Sequence, residues 1–243
     1  MVKANWTNLA LGALLSTALA GVSWADTKEE IAAKLNGVSA ENLTDSPIEG
    51  VYQVQLGSRI AYVTSDGRYL MQGELYDLQT SQNLTEQTRA QARVAMLSQV
   101  PRKDMIIFPA TGGETKYTIK IFTDVDCGYC RQFHREIDRV NALGIEVQYL
   151  SYPRTGPDTE SWYKAEKVWC AGEEARHAAL TQAKLGGAVP DEICEDNPVS
   201  EEYDLGQAIG VRGTPAIVAA NGEIIGGYMP PDQLLETLEG LSQ

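Results

Sequence analysis

The chain has 243 residues, with 33 acidic against 20 basic side chains and a formal net charge of −13. An acidic surface of that size repels nucleic acid and anionic lipid, so polynucleotide binding is excluded as a leading function. All four cysteines lie in the second half, an even count that favours disulfides in a secreted chain. Residues 1–7 carry one positive charge, Lys3, and no acid; residues 8–22 are dominated by Leu and Ala. Small residues then flank a cleavage point before Asp26. That order predicts a secretory signal peptide over 1–25. Its apolar run is shorter than the roughly 20 residues that a spanning helix needs.

Past that segment, 28–35 reads as a short helix, and 51–56, 59–63, 68–72 and 74–78 as short strands, with Asp66-Gly67 as a hairpin turn. This zone has no Cys or His, and its aliphatic residues are thinly spread. So small a core is near the lower limit of independent stability, which favours pairing with a second copy. A helix is predicted over 85–99, with Ala92, Met96 and Gln99 along one stripe and Arg89 and Arg93 elsewhere; Pro101 stops it. Thr111-Gly112-Gly113 follows as a joint. The helix is either a semi-rigid connector or a surface helix of one domain, and the residues alone leave both open.

Tyr117, Ile119 and Ile121 alternate along a strand that leads into Cys127-Gly128-Tyr129-Cys130. Cys130, Phe133, Ile137, Val140 and Leu143 then recur at helical spacing and end at Gly144. A strand over 145–150 follows. Residues 159–185 are largely helical, with Trp162, Val168 and Trp169 inward, and 201–209 is a helix closed by Gly210. A hairpin turns across Asn221-Gly222. A last helix over 231–241 turns Leu234, Leu235 and Leu238 to the core.

Two thiols three positions apart at the start of a helix can close a ring with each other. The first also meets the unpaired N–H groups and positive dipole end of that helix. Both favour the thiolate, the form that attacks disulfides. Cys127 is expected to be the exposed nucleophile and Cys130, one turn inward, the buried resolving thiol. Gly128 allows a substrate backbone close approach, and Tyr129 packs beside the bound chain or covers the helix end. A zinc site would need two further ligands at compatible spacing, which Cys170 and Cys194 do not provide. Asp126 is expected to cap the helix rather than to oppose the thiolate. His134 lies roughly 10 Å along the helix axis from Cys127, too far for proton transfer, and is expected at the surface or an edge. Thr214-Pro215 precedes a strand; with a cis bond it would sit against the cysteine pair and offer Thr214 backbone groups to an extended substrate. Cys170 and Cys194 are expected to form a structural disulfide, with a second redox pair as the alternative.

Together Phe122-Thr123-Asp124, Cys127-Gly128-Tyr129-Cys130, Asn141-Ala142-Leu143-Gly144-Ile145, Trp169-Cys170, Gly213-Thr214-Pro215 and Gly227-Tyr228-Met229-Pro230-Pro231 closely resemble the DsbC-type periplasmic disulfide isomerases. Asp66-Gly67 and Tyr76-Asp77 extend the resemblance into the first zone. It implies an α/β (α+β) chain: a small α+β N-terminal dimerisation domain over 26–84, a linker helix and hinge over 85–113, and a thioredoxin-like catalytic domain with a helical insertion over 114–243. It also implies a V-shaped homodimer in the periplasm, kept reduced by a membrane thiol reductant of the DsbD type. Misfolded disulfide-containing secreted proteins would be its substrates, and chaperone activity would arise in the cleft between subunits. Cys127 matches the attacking cysteine, Cys130 its partner, Thr214-Pro215 the substrate contact, and Cys170 with Cys194 the structural disulfide. No cofactor or metal is implied. The related DsbG group typically has Pro where this chain has Gly128. The alternatives are a DsbG-like thiol reductase or holdase chaperone, and a net disulfide oxidase.

Overall fold

The computed structural model describes residues 27–242. The signal peptide expected at 1–25 lies outside the described residues. Thr27 opens α1 (Lys28–Ala33) with a reciprocal cap: its hydroxyl accepts from Glu30 N–H, and the Glu30 carboxylate accepts from Thr27 N–H. Strands β1 (Leu43–Asp45), β2 (Val51–Leu56), β3 (Arg59–Thr64) and β4 (Leu70–Met71) form an antiparallel sheet in that order. Gly67, with φ of +64°, makes the expected turn between β3 and β4. Ile31, Leu43, Val54 and Val63 form the small core beneath.

The strands expected at 68–72 and 74–78 shrink to two residues each, since β5 (Tyr76–Asp77) pairs only with β6 (Gln82–Asn83). Tyr69, Leu70 and Tyr76 are about half exposed, so the described residues leave this stretch open. Helix α2 (Leu84–Leu97) starts at Asn83, whose side-chain oxygen accepts from Glu86 N–H at 3.0 Å.

The rest of the chain runs β7 (Ile106–Phe108), β8 (Tyr117–Thr123), α3 (Gly128–Arg135), α4 (Ile137–Ala142), β9 (Ile145–Ser151), α5 (Glu160–Cys170), α6 (Arg176–Lys184), α7 (Val199–Ile209), β10 (Ala216–Val218), β11 (Ile224–Gly226) and α8 (Pro231–Leu241). Five strands make one sheet in the order β11-β10-β8-β9-β7; β8 and β9 are parallel and the other pairs antiparallel. Ile119 and Ile121 of β8 face Phe133, Val140, Leu180 and Leu234, while Phe122 faces Leu97, Leu150 and Ile209 on the other side. That split follows from the two-residue alternation of a strand covered on both faces.

Three differences from the sequence expectation concern this half. Residues 106–108, expected within the linker, are an edge strand of the five-stranded sheet, and Thr111-Gly112-Gly113 connects β7 to β8 inside it. The apolar run Met105-Ile106-Ile107-Phe108 finds its burial there. The single helix expected after the cysteines divides at Glu136, which has φ of −103° and ψ of 10°.

The third difference is the buried stripe of α2, which contains Ala92, Arg93 and Leu97 while Gln99 is exposed. Arg93 donates to Ile209 O at 3.0 Å and to Gly222 O at 3.3 Å, and pairs with Glu86. The last carbonyls of a helix lack intrahelical donors and carry partial negative charge, so the end of α7 is a natural seat for a guanidinium. Ser58 of the first sheet also donates to Ala208 O, at 2.6 Å. Thr85 of α2 bonds Tyr62 of β3 through their hydroxyls, so α2 contacts both halves.

Candidate active site

The expected site residues converge where β8 runs into α3. Cys127 occupies the N-cap position of α3, with extended backbone (φ −76°, ψ 125°) and no side-chain cap bond, which leaves the first N–H groups of the helix uncapped. Asp126 is not the cap. Its carboxylate pairs with Arg131 at 2.8 Å and Lys164 at 3.1 Å, neighbours from α3 and α5 that outcompete the local backbone. Asp124, just upstream, is buried and accepts from Ser161, from Asp126 N–H, and from Arg154 through both backbone and side chain. Burial opposes its charge, but these bonds prevail and hold its carboxyl below the usual range. Both acids near the sulfur are thus matched by cations.

Thr214-Pro215 has a cis peptide bond, and Cys127 Sγ lies 3.2 Å from Thr214 O. This segment covers the sulfur. Cys127 is only 2% exposed, which corrects the expectation of an exposed nucleophile. Cys130 is buried as expected. The space that a Cβ would fill at Gly128 is empty, so that side of the pair remains approachable. Tyr129 stands 65% exposed beside it and stacks at 6.5 Å on Tyr228, whose hydroxyl donates to Glu136. A cavity of about 630 Å³ borders the Thr214-Pro215 segment, with Arg212, Gly213, Ile224 and Gly227 among its walls.

The two thiols have opposite acidities. Cys127 is lowered to about 5, first by a hydrogen bond from the Cys130 thiol, against the penalty of burial, and further by the Thr214 side chain, the Cys130 N–H and the Arg154 charge. Burial pushes the Cys130 thiol up, and its bond with Cys127 adds to this. When protonated, Cys127 donates to the Thr214 carbonyl; once ionised it can use only donors. The Thr214 hydroxyl, buried with no other hydrogen-bond partner, is one such donor. The arrangement supports one ready thiolate and one reserved thiol.

Cys170 and Cys194 are joined by a disulfide (S–S 2.07 Å) that ties the end of α5 to the loop before α7. His134 is 3% exposed, not at the surface. Its ring nitrogens meet Tyr149 Oη at 3.1 Å and Thr181 Oγ1 at 2.9 Å, and burial, with Lys184 adding, lowers it to about 3. Three further groups lie by the cysteines: Thr123, quoted in the sequence only within the motif Phe122-Thr123-Asp124, and Arg154 and Lys184, which were not singled out. Lys184 lies four residues after Leu180 on the inward face of α6.

Known proteins resemble this chain in both of its halves. A model of the disulfide bond isomerase protein N-terminal domain matches residues 18–86, and one of a thioredoxin-like domain matches 103–242. A thiol:disulfide interchange protein DsbC of Dickeya dadantii is 36% identical over 233 residues, which span 94% of this chain and 93% of that protein. DsbC of Haemophilus influenzae is 36% identical over 232 residues, covering 93% of this chain and 98% of the other. Among solved structures, a disulfide interchange protein from Neisseria gonorrhoeae superposes with a TM-score of 0.51 at 30% identity, over 59% of this chain and 99% of that one.

Proposed function

Because the chain belongs to the DsbC family of thiol:disulfide interchange proteins, we propose that it reshuffles wrongly paired disulfides in secreted proteins, with Cys127 as the attacking sulfur and Cys130 as its resolving partner. The observation that carries this reading is the paired acidity at the start of α3: a thiolate with a pKa of about 5 backed by a thiol that resists ionisation.

The Cys127 thiolate attacks one sulfur of a substrate disulfide. A Cys127–substrate S–S bond forms, the substrate S–S bond breaks, and the other substrate sulfur leaves as a thiolate that takes a proton from water. A second substrate thiolate then attacks the mixed disulfide, which completes isomerisation and frees Cys127. If Cys130 attacks instead, Cys127 and Cys130 become a disulfide and the substrate leaves reduced by two electrons. A reductant must then restore the pair, and a membrane thiol reductant of the DsbD type is the proposed source. Gly128 admits the substrate backbone, Tyr129 flanks it, and Thr214-Pro215 lies alongside.

The remaining assignments are a periplasmic location, a homodimer formed by the N-terminal domain over 26–84, and chaperone action in the cleft between its subunits. Exposed Tyr69, just before the edge strand β4, and Leu70 and Met71 on it support pairing with a second copy, because an unpaired apolar edge invites cover. Helix α2 is the connector in this division, and the catalytic domain includes the edge strand β7 as well as residues 114–243.

The test is refolding of a scrambled multi-disulfide protein. Cys127→Ala should abolish isomerisation, and recovery equal to the parent's would refute the assignment. A second reading, net oxidase, draws on the same thiolate, since stabilising the reduced pair makes the oxidised pair a stronger oxidant. Thiol trapping of the resting state in cells separates the two: mostly oxidised Cys127 fits an oxidase, and a mostly reduced pair fits an isomerase.

A further inference from the structure

Lys184 is fully buried on the inward face of α6. Its ammonium donates to Thr123 Oγ1 and to Asp124 O, the latter at 2.9 Å. Among the described residues no carboxylate forms an ion pair with it, because the Asp124 carboxylate is engaged by Arg154 and Ser161. Burial lowers the Lys184 pKa from its usual value, against the charges of Cys130, Asp124 and Cys127, so a small gain in packing does not account for placing an amine there. The groups that face it are Cys127 and Cys130 at the start of α3, Asp124 before that helix, and Arg131 and His134 within it. Of these His134 is neutral over the working range and Arg131 is paired with Asp126.

Thr123 links the cation to the chemistry. Its oxygen accepts from Lys184, which leaves the O–H to donate toward Cys130, whose thiol Thr123 and Lys184 both favour ionising against burial. We propose that Lys184 is a positioning residue for the resolving step: through the Thr123 hydroxyl it stabilises the Cys130 thiolate as it forms, and so sets how long a mixed disulfide on Cys127 survives. This rests on the roles given to Cys127 and Cys130 above. In the step concerned, the Cys130 proton passes to solvent or to the departing thiolate. Cys130 Sγ bonds to Cys127 Sγ, and the Cys127–substrate bond breaks with its electron pair on the substrate sulfur. A faster resolving step favours reduction; a slower one leaves time for a second substrate thiol and favours isomerisation.

Reduced full-length protein mixed with dithiobis(nitrobenzoate) reports both steps. Attack by Cys127 releases a first coloured thiolate, and displacement by Cys130 releases a second. Lys184→Met, similar in length and uncharged, should leave the first phase within about twofold. It should slow the second about tenfold at neutral pH and move its pH midpoint upward, the effect expected on losing one nearby opposite charge. Thr123→Val should slow the second phase alike, and adding Lys184→Met to it should change little more. An unchanged second-phase midpoint in Lys184→Met overturns the proposal, as does equal slowing of both phases. Should Lys184→Met fail to fold, a second phase of parental speed in Thr123→Val overturns it. Failure of the parent itself to show two releases would instead refute the roles of Cys127 and Cys130.

Discussion

At the residue scale the consequences are in acidity. With a pKa of about 5 in the folded chain against about 8.5 for a free thiol, the Cys127 thiolate stabilises the reduced protein. The unfolded chain binds the extra proton between those values, so stability from this group is full above the upper one and is lost as pH falls through about 5. The oxidised protein has no such term. Urea unfolding of both forms should therefore show the reduced form gaining on the oxidised form from pH about 5 upward, and parallel curves would contradict the thiolate. Alkylation of Cys127 should have its midpoint in the same place. His134 acts in the same direction: neutral when folded, it leaves the unfolded chain to bind the proton between about 3 and the ordinary histidine value, so stability falls on acidification. His134→Gln, which keeps polar contacts to Tyr149 and Thr181, should flatten that acid limb in urea titrations. The cysteine pair and the segment Thr214-Pro215 could be picked out from the sequence because their chemistry is local. The burial of His134 could not, since it depends on Tyr149 of β9, which meets it only after folding; for Lys184 the helical spacing from Leu180 hints at burial but not at its partner Thr123.

At the element scale, helix and strand periodicity located α1, α2, β2, β3, β8, β9 and α8 closely. The misses are the short pieces, β1 and β6 and the edge strand β7, where three apolar residues before a proline cannot declare their partner. One close contact hidden from the sequence is Gly206 on α7. A Cβ there would lie 2.5 Å from the Tyr152 ring and 3.1 Å from Phe122. Gly206→Ala should destabilise by about 1–3 kcal/mol through overpacking, despite the better helix propensity of alanine, and an unchanged urea midpoint would show that the ring yields. The Cys170–Cys194 bond closes a separation of 24 residues. Replacing both by Ala should lower stability by about 3 kcal/mol while the Cys127 alkylation midpoint stays put. A shift in that midpoint would mean that the disulfide also shapes the site.

At the scale of the whole molecule, the first sheet ends in apolar side chains that the described residues leave exposed. Met71→Asp on β4 should give a monomer by sedimentation if this edge joins two copies. Such a monomer should still react with dithiobis(nitrobenzoate) in two phases and lose isomerisation, because its chemistry resides in the second sheet alone. A persistent dimer would move the interface elsewhere. The halves are not independent, however. Gly222, with φ of +88°, turns the β10–β11 hairpin against α2, where a Cβ would come within 2.0 Å of Ala90 O, and Arg93 holds the same turn. The far end of β10 begins just after Thr214-Pro215. The hairpin thus works as a rocker with its tail gripped by the arm and its nose resting on a sulfur. Enlarging Gly222 would tilt it, so a change made at the shoulder of the molecule should alter how sheltered Cys127 is.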